Sequence, residues 1–120
     1  MSERNPDWVL EEVILALDVY FQIDAVRASP ASPEIIELSE LLKRLPFHHG
    51  KGTNPSFRNP VGVHMILCNF LALDPNYPGV GLNRGSRLQR EVWSEFCDNI
   101  PALSSAAKEI RAAYPSASKS

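Results

Sequence analysis

Three times along this chain a proline directly follows a small polar residue, and an apolar stripe of helical period begins behind it: Asn5-Pro6, Ser32-Pro33 and Asn59-Pro60. Proline inside a helix removes a hydrogen bond, but at the first helical position its missing N–H has no partner to lose and its fixed φ is already helical. Each pair therefore marks a helix start. Behind the first, Val9, Val13, Ile14, Leu17, Tyr20 and Phe21 predict an amphipathic helix over 6–22. Behind the second, Ile35, Leu38, Leu41, Leu42 and Leu45 predict a helix over 33–45 that stops at Pro46. The third opens a stripe of Val63, Ile66, Leu67, Phe70 and Leu71 over 60–73, ended by Asp74-Pro75. A fourth helix begins at Gly85 or Ser86 with Leu88, Val92, Trp93 and Phe96, and a fifth runs from about Pro101 to Ala113 on Leu103, Ala107 and Ile110. No strand alternation and no internal repeat interrupts this series, so the expected fold is all-α: a compact bundle of about five helices. Helices 33–45 and 60–73, joined by PFHHGKGTNPSF, form a helix-turn-helix-like pair, although that connection is longer than the usual three or four residues.

With 120 residues and 44% hydrophobic content, a single domain over residues 1–120 is expected, with its core at about 5–112. Cys68 and Cys97 lie within helical apolar patterns without a paired-cysteine spacing, which argues against a disulfide framework or a zinc site. No apolar run approaches membrane-spanning length and no secretory leader is visible, so a cytoplasmic location is expected.

Charge is distributed unevenly. Residues 1–42 hold nine acids against two bases, whereas residues 43–90 hold seven bases against one acid, together with all three histidines. That pattern fits an anion-binding face on an acidic domain, against the plainer reading of solvated helix charges. A helix N-terminus preceded by Arg58 and followed by His64 suits a phosphate or groove contact, with His48, His49 and Lys51 as backbone contacts and Asn59 at the cap. Catalysis is not expected. His64 and Cys68 stand at i and i+4, a spacing that can chelate zinc, but there is no HExxH, CxxC, P-loop or GxSxG, and Asp74 is the only acid in the positive stretch. No metal and no cofactor are expected.

The order NPDWVLEEVILALDVYF, SPEIIELSELLKRLP, FRNPVGVHMILCNFLALDPNYPGVGL, LQREVWSEF resembles the N-terminal module of bacterial modification-dependent (type IV) HNH restriction endonucleases, in particular the sulfur-binding domain that recognises phosphorothioated DNA. The resemblance covers nearly the whole chain. It implies an all-helical domain that binds double-stranded DNA in which one non-bridging phosphate oxygen is sulfur, and a downstream HNH nuclease that this stretch does not contain. It also implies a sulfur pocket made of Tyr77 and Pro78, with Gly81 at the small position and Arg27 upstream, and further DNA contacts from Arg84, Ser86 and Arg87. Such a ligand would account for a tyrosine-proline pair set among arginines. The anion asks for arginine, while sulfur, larger and less hydrated than oxygen, loses little on burial against an aromatic face. Two other readings stand beside it: a reader of methylated or hydroxymethylated cytosine in which the 57–65 helix start meets the base, and a protein-interaction module.

Overall fold

A computed structural model describes residues 7–46, 57–77 and 85–114. It contains five helices: α1 (Leu10–Gln22), α2 (Pro33–Arg44), α3 (Pro60–Leu73), α4 (Arg87–Phe96) and α5 (Ile100–Ala113), and no strand among the described residues. The all-α architecture expected from the helix starts is thus observed. Ser32 and Asn59 precede α2 and α3 with proline at the first position, and Leu45 closes α2 before Pro46. Among the described residues no helix is long and apolar enough to cross a membrane.

The first helix differs from its sequence-based expectation in extent and in surroundings. It begins at Leu10, with Val9 as N-cap; Asn5 and Pro6 lie outside the described residues. Every residue from Glu12 to Tyr20 is buried, because α1 runs through the middle and packs on α2, α3, α4 and α5. Its sequence, apolar on nearly all sides, suits a helix enclosed by others rather than one with a solvent face. Leu15, Leu17, Ile35, Leu38, Leu42, Leu67, Phe70 and Leu103 form the fully enclosed core, each contributing about 1.5–3 kcal/mol by burial. Tyr20, Phe21, Phe70 and Trp93 close one end as an aromatic cluster, with Phe21 stacked on Trp93 at 5.6 Å and Tyr20 edge-on to both. Phe70 completes it at 5.7 Å from Tyr20.

A central helix carrying acids must satisfy them. Asp18 accepts from Gln22 Nε2 at 3.0 Å, and burial pushes its carboxyl above the ordinary range against the lowering influence of Arg111. Glu12 is held by Arg58, whose Nε and Nη2 donate to its two carboxylate oxygens at 2.8 and 2.9 Å, while Oε1 also accepts the Val9 N–H at 3.0 Å. The same guanidinium reaches the Asp7 carbonyl at 3.2 Å and lies between the rings of Trp8 and Phe57, 4.8 and 4.7 Å from their centroids. Arg58 has φ of 47°, a left-handed conformation uncommon outside glycine, and its carbonyl accepts the Ser39 hydroxyl at 2.6 Å. These bonds fasten the entry of α3 to α1 and α2 at once. α2 and α3 pack on each other as well as on α1, with residues 45–59 connecting them, a longer link than a three- or four-residue turn.

Removing one partner of a buried ion pair leaves a charge stranded, at a cost of about 3–5 kcal/mol, whereas removing both is far milder. Arg58→Met and Glu12→Gln are each expected to lower the unfolding free energy measured by urea denaturation by that order, and the double replacement to recover a large part. Single losses below about 1 kcal/mol would show the pair to be solvated.

Candidate nucleic-acid interface

Asp74 ends α3 as its C-cap and is buried there. Its Oδ2 accepts the Tyr20 hydroxyl at 2.7 Å, its Oδ1 accepts the Asn76 N–H at 2.9 Å, and its carbonyl accepts the Tyr77 N–H at 3.0 Å. A side-chain turn of this kind follows naturally from Asp-Pro-Asn, since a short carboxylate can bond the backbone two residues on. The result is a compact projection carrying Tyr77, 38% exposed, at its tip.

Between this turn and the start of the α1–α2 loop lies a cleft of about 200 Å³, walled by Tyr20, Phe21, Ile23, Ala25 and Tyr77, with Asp74 and Asn76 as polar lining. Beyond Phe21 a smaller hollow of about 120 Å³ is lined by Trp93, Cys97 and Asp98 and shares Asp74 and Asn76. Among the described residues, Asp74 and Asp98 are the charged members of the two linings, which include no described lysine or arginine. Burial, followed by the bond to Asp74, pushes the Tyr20 hydroxyl far above its usual range, so it serves as a donor across the physiological span.

The loop that lends Ile23 and Ala25 to this cleft also carries Arg27, whose side chain is 86% exposed and 3.6 Å from Asp24. Tyr77 therefore borders the cleft together with Ile23 and Ala25 of the Arg27 loop, while Arg27 itself is not among the described lining residues. Pro78, Gly81 and Arg84 lie outside the described residues, as do His48, His49 and Lys51.

The helix-start contacts are corrected. Arg58 is 4% exposed and its guanidinium is committed to Glu12, so it offers no phosphate contact. Asn59 spends its side-chain oxygen on the Gly62 N–H at 2.8 Å. His64 is partly buried and its Nε2 lies 2.9 Å from the Ala28 carbonyl; since a carbonyl only accepts, that nitrogen carries the proton. The contact ties α3 to the Arg27 loop instead of turning His64 outward. Cys68 Sγ is 3.8 Å from the same nitrogen, burial raises its thiol pKa, and no metal-ligating group of three forms among the described residues.

At the other end of the positive stretch, Ser86 caps α4 by accepting the Gln89 N–H at 3.2 Å. Arg87 is exposed and pairs with Glu91 at 3.2 Å, a contact of small energetic weight that leaves it available to a ligand. Gly85 adopts φ of 74°, and a Cβ there would fall 2.1 Å from Gln89 Oε1, so glycine is required on both counts. Gln89 in turn donates from Nε2 to the Ile66 carbonyl at 2.8 Å, locking the start of α4 against α3.

One feature escaped sequence reasoning. Asp74 reads there as a helix terminator and Tyr20 as one apolar stripe residue, yet together they build the cleft. α3 itself carries no charged residue, and its outer face shows Val61 and Met65, 53% and 49% exposed, one turn apart. Exposed Lys43 and Arg44 stand at the end of α2, one turn beyond the Ser39 that holds the α3 entry.

The chain matches no protein-family model, and no curated protein or solved structure is significantly similar to it.

Because the Tyr20 pKa is raised by folding, the folded state keeps a proton that the unfolded state releases above about pH 10. Stability attributable to this group is fully present below pH 10 and is expected to fall as pH rises beyond it. Chemical denaturation between pH 8 and 11 should show the decline in the wild type and a shallower one in Tyr20→Phe; identical profiles would place the decline on other groups.

Proposed function

We propose that this chain is a DNA-binding specificity module that recognises phosphorothioate-modified duplex DNA, serving a modification-dependent HNH restriction endonuclease. The observation that carries the reading is the common cleft: Arg27 and Tyr77, 50 positions apart in the sequence, are borne by segments that wall a single recess. A phosphorothioate there would keep its charge at the mouth, near Arg27, because the buried Asp74 carboxylate disfavours an anion sinking to the floor. Its weakly hydrated sulfur edge would lie against the Tyr77 ring, a burial that costs ordinary phosphate oxygen its water. Pro78 and Gly81 complete the pocket on the strength of the sequence resemblance. His48, His49, Lys51, Arg84, Ser86 and Arg87 remain the proposed partners of the flanking backbone, while Arg58, Asn59 and His64 hold the scaffold.

A second reading, of a methylated or hydroxymethylated cytosine, is favoured by the uncharged outer face of α3. Val61 and Met65 are the kind of side chains that contact a pyrimidine methyl in the major groove. Lys43 and Arg44 nearby would meet the phosphates.

Fluorescence anisotropy at fixed physiological salt, on duplexes differing by one R-configured phosphorothioate, tests the first reading. The expected result is tenfold or tighter binding to the sulfur duplex, roughly 1.4 kcal/mol. Tyr77→Ala should erase the preference and Lys51→Ala should weaken both duplexes alike; equal affinities in the wild type would sink the sulfur assignment. With about four cations on phosphates, log affinity should fall against log salt with a slope near about −3.6. A cytosine-methylation series on all-phosphate DNA tests the second reading, with Met65→Ala expected to remove any methyl preference and leave unmethylated binding unchanged.

A further inference from the structure

The turn that presents Tyr77 is held by one carboxylate, and that carboxylate is held by one distant hydroxyl. Tyr20 lies 54 residues before Asp74, is itself buried at the end of the central helix, and donates to Asp74 Oδ2 at 2.7 Å. Asp74 passes that fixation on through its Oδ1 to the Asn76 N–H and through its carbonyl to the Tyr77 N–H. The Tyr20 ring cannot swing away, because Phe21, Phe70 and Trp93 pack around it with centroids between 5.1 and 5.8 Å. The hydroxyl is therefore a fixed point of the core, and the turn is built outward from it. Tyr20, Asp74, Asn76 and Tyr77 also line the same cleft, so any movement of the carboxylate alters both the recess and its rim.

We propose that Tyr20 and Asp74 are positioning residues that set the ligand discrimination of this cleft by holding the Asn76–Tyr77 turn in its binding geometry. Tyr77 makes the contact; Tyr20 and Asp74 determine where it stands. The inference rests on the DNA-recognition reading for its ligand, but its structural content is independent of that ligand. A rim pre-organised by a buried bond loses less freedom on binding, and the difference appears chiefly in the ligand whose fit depends on the rim. Phosphate contacts made elsewhere on the surface are shared by all duplexes and would be untouched.

Tyr20→Phe removes the hydroxyl and keeps the ring, so the core packing survives. Two measurements on this variant decide the matter. By amide hydrogen exchange, the Asn76 and Tyr77 amides are expected to exchange at least tenfold faster than in wild type, while the Leu67 amide in the middle of α3 changes far less. By anisotropy, the preference for the sulfur duplex over its all-phosphate match is expected to fall at least tenfold, with all-phosphate affinity held within about twofold. A purely structural role would slow or speed all these amides together and weaken both duplexes in parallel, which would overturn the proposal. Wild-type-like exchange at Asn76 and Tyr77 overturns it as well, whatever the DNA result. Local loosening of those two amides in a protein whose wild type shows no sulfur preference would uphold the positioning role and reject the sulfur reading. Asp74→Asn, which keeps one acceptor and loses the charge, is expected to fall between wild type and Tyr20→Phe in exchange at Asn76; full loosening there would instead make the charge, not the Tyr20 bond, the anchor.

Discussion

The bidentate bond between Arg58 and Glu12 is the constraint on which the rest of this structure hangs. It joins residues 46 apart, under the first turn of α1 and at the threshold of α3, with both side chains almost wholly out of solvent. A guanidinium can occupy such a place because its flat faces stack on Trp8 and Phe57 while its edge meets the carboxylate. Ser39 adds α2 to the same knot through the Arg58 carbonyl. Once the entry of α3 is fixed at this knot, the exit of that helix is fixed at the far end, where Asp74 meets Tyr20. α3 is thus pinned to α1 twice, by polar bonds at its two ends and by Val63, Leu67, Phe70 and Leu71 between them.

Such double pinning separates support from recognition. The polar groups that face inward from α3 and its flanks, Arg58, Asn59, His64 and Asp74, all hold other parts of the chain. Among the described residues, the exposed side chains around these anchors include Tyr77, Arg27, Arg87, Lys43 and Arg44, and the uncharged strip of Val61 and Met65. Burial withdraws Glu12 and Asp18 from the acidic first third, making it less negative than its residue count suggests, whereas from the positive middle it withdraws one charge of each sign, Arg58 and Asp74, and leaves the balance unchanged.

Local rules made most of the fold legible. Proline after a small polar residue located the starts of α2 and α3 because capping is a matter of neighbouring backbone groups, and Ser86 marked α4 for the same reason. The environment of α1 was less legible. LEEVILALDVYF reads as amphipathic when its acids are assumed to face water, and only the partner 46 residues on reveals that Glu12 faces inward. Arg58 failed from the same blindness, since a cation beside a helix start looks alike whether it points at solvent or at a carboxylate from another helix. Asp74 was half legible: its capping role follows from Asp-Pro, but its bond to Tyr20 depends on how two distant segments meet. Of the residues paired by resemblance, Tyr77 lines the cleft and Arg27 does not, although its loop lends Ile23 and Ala25 to the wall; Pro78, Gly81, Arg84 and the histidine-lysine loop fall on residues outside the described set.

The enclosure of α1 also bears on the order of events during synthesis. The helix at the centre is made first, yet the groups that neutralise Glu12 and engage Tyr20 arrive only with residues 58 and 74, so a growing chain that has just released α1 and α2 holds an apolar rod with an unmatched acid near its start. The third helix brings both polar anchors within the length of a single segment, and α4 and α5, which also pack on α1, complete its enclosure.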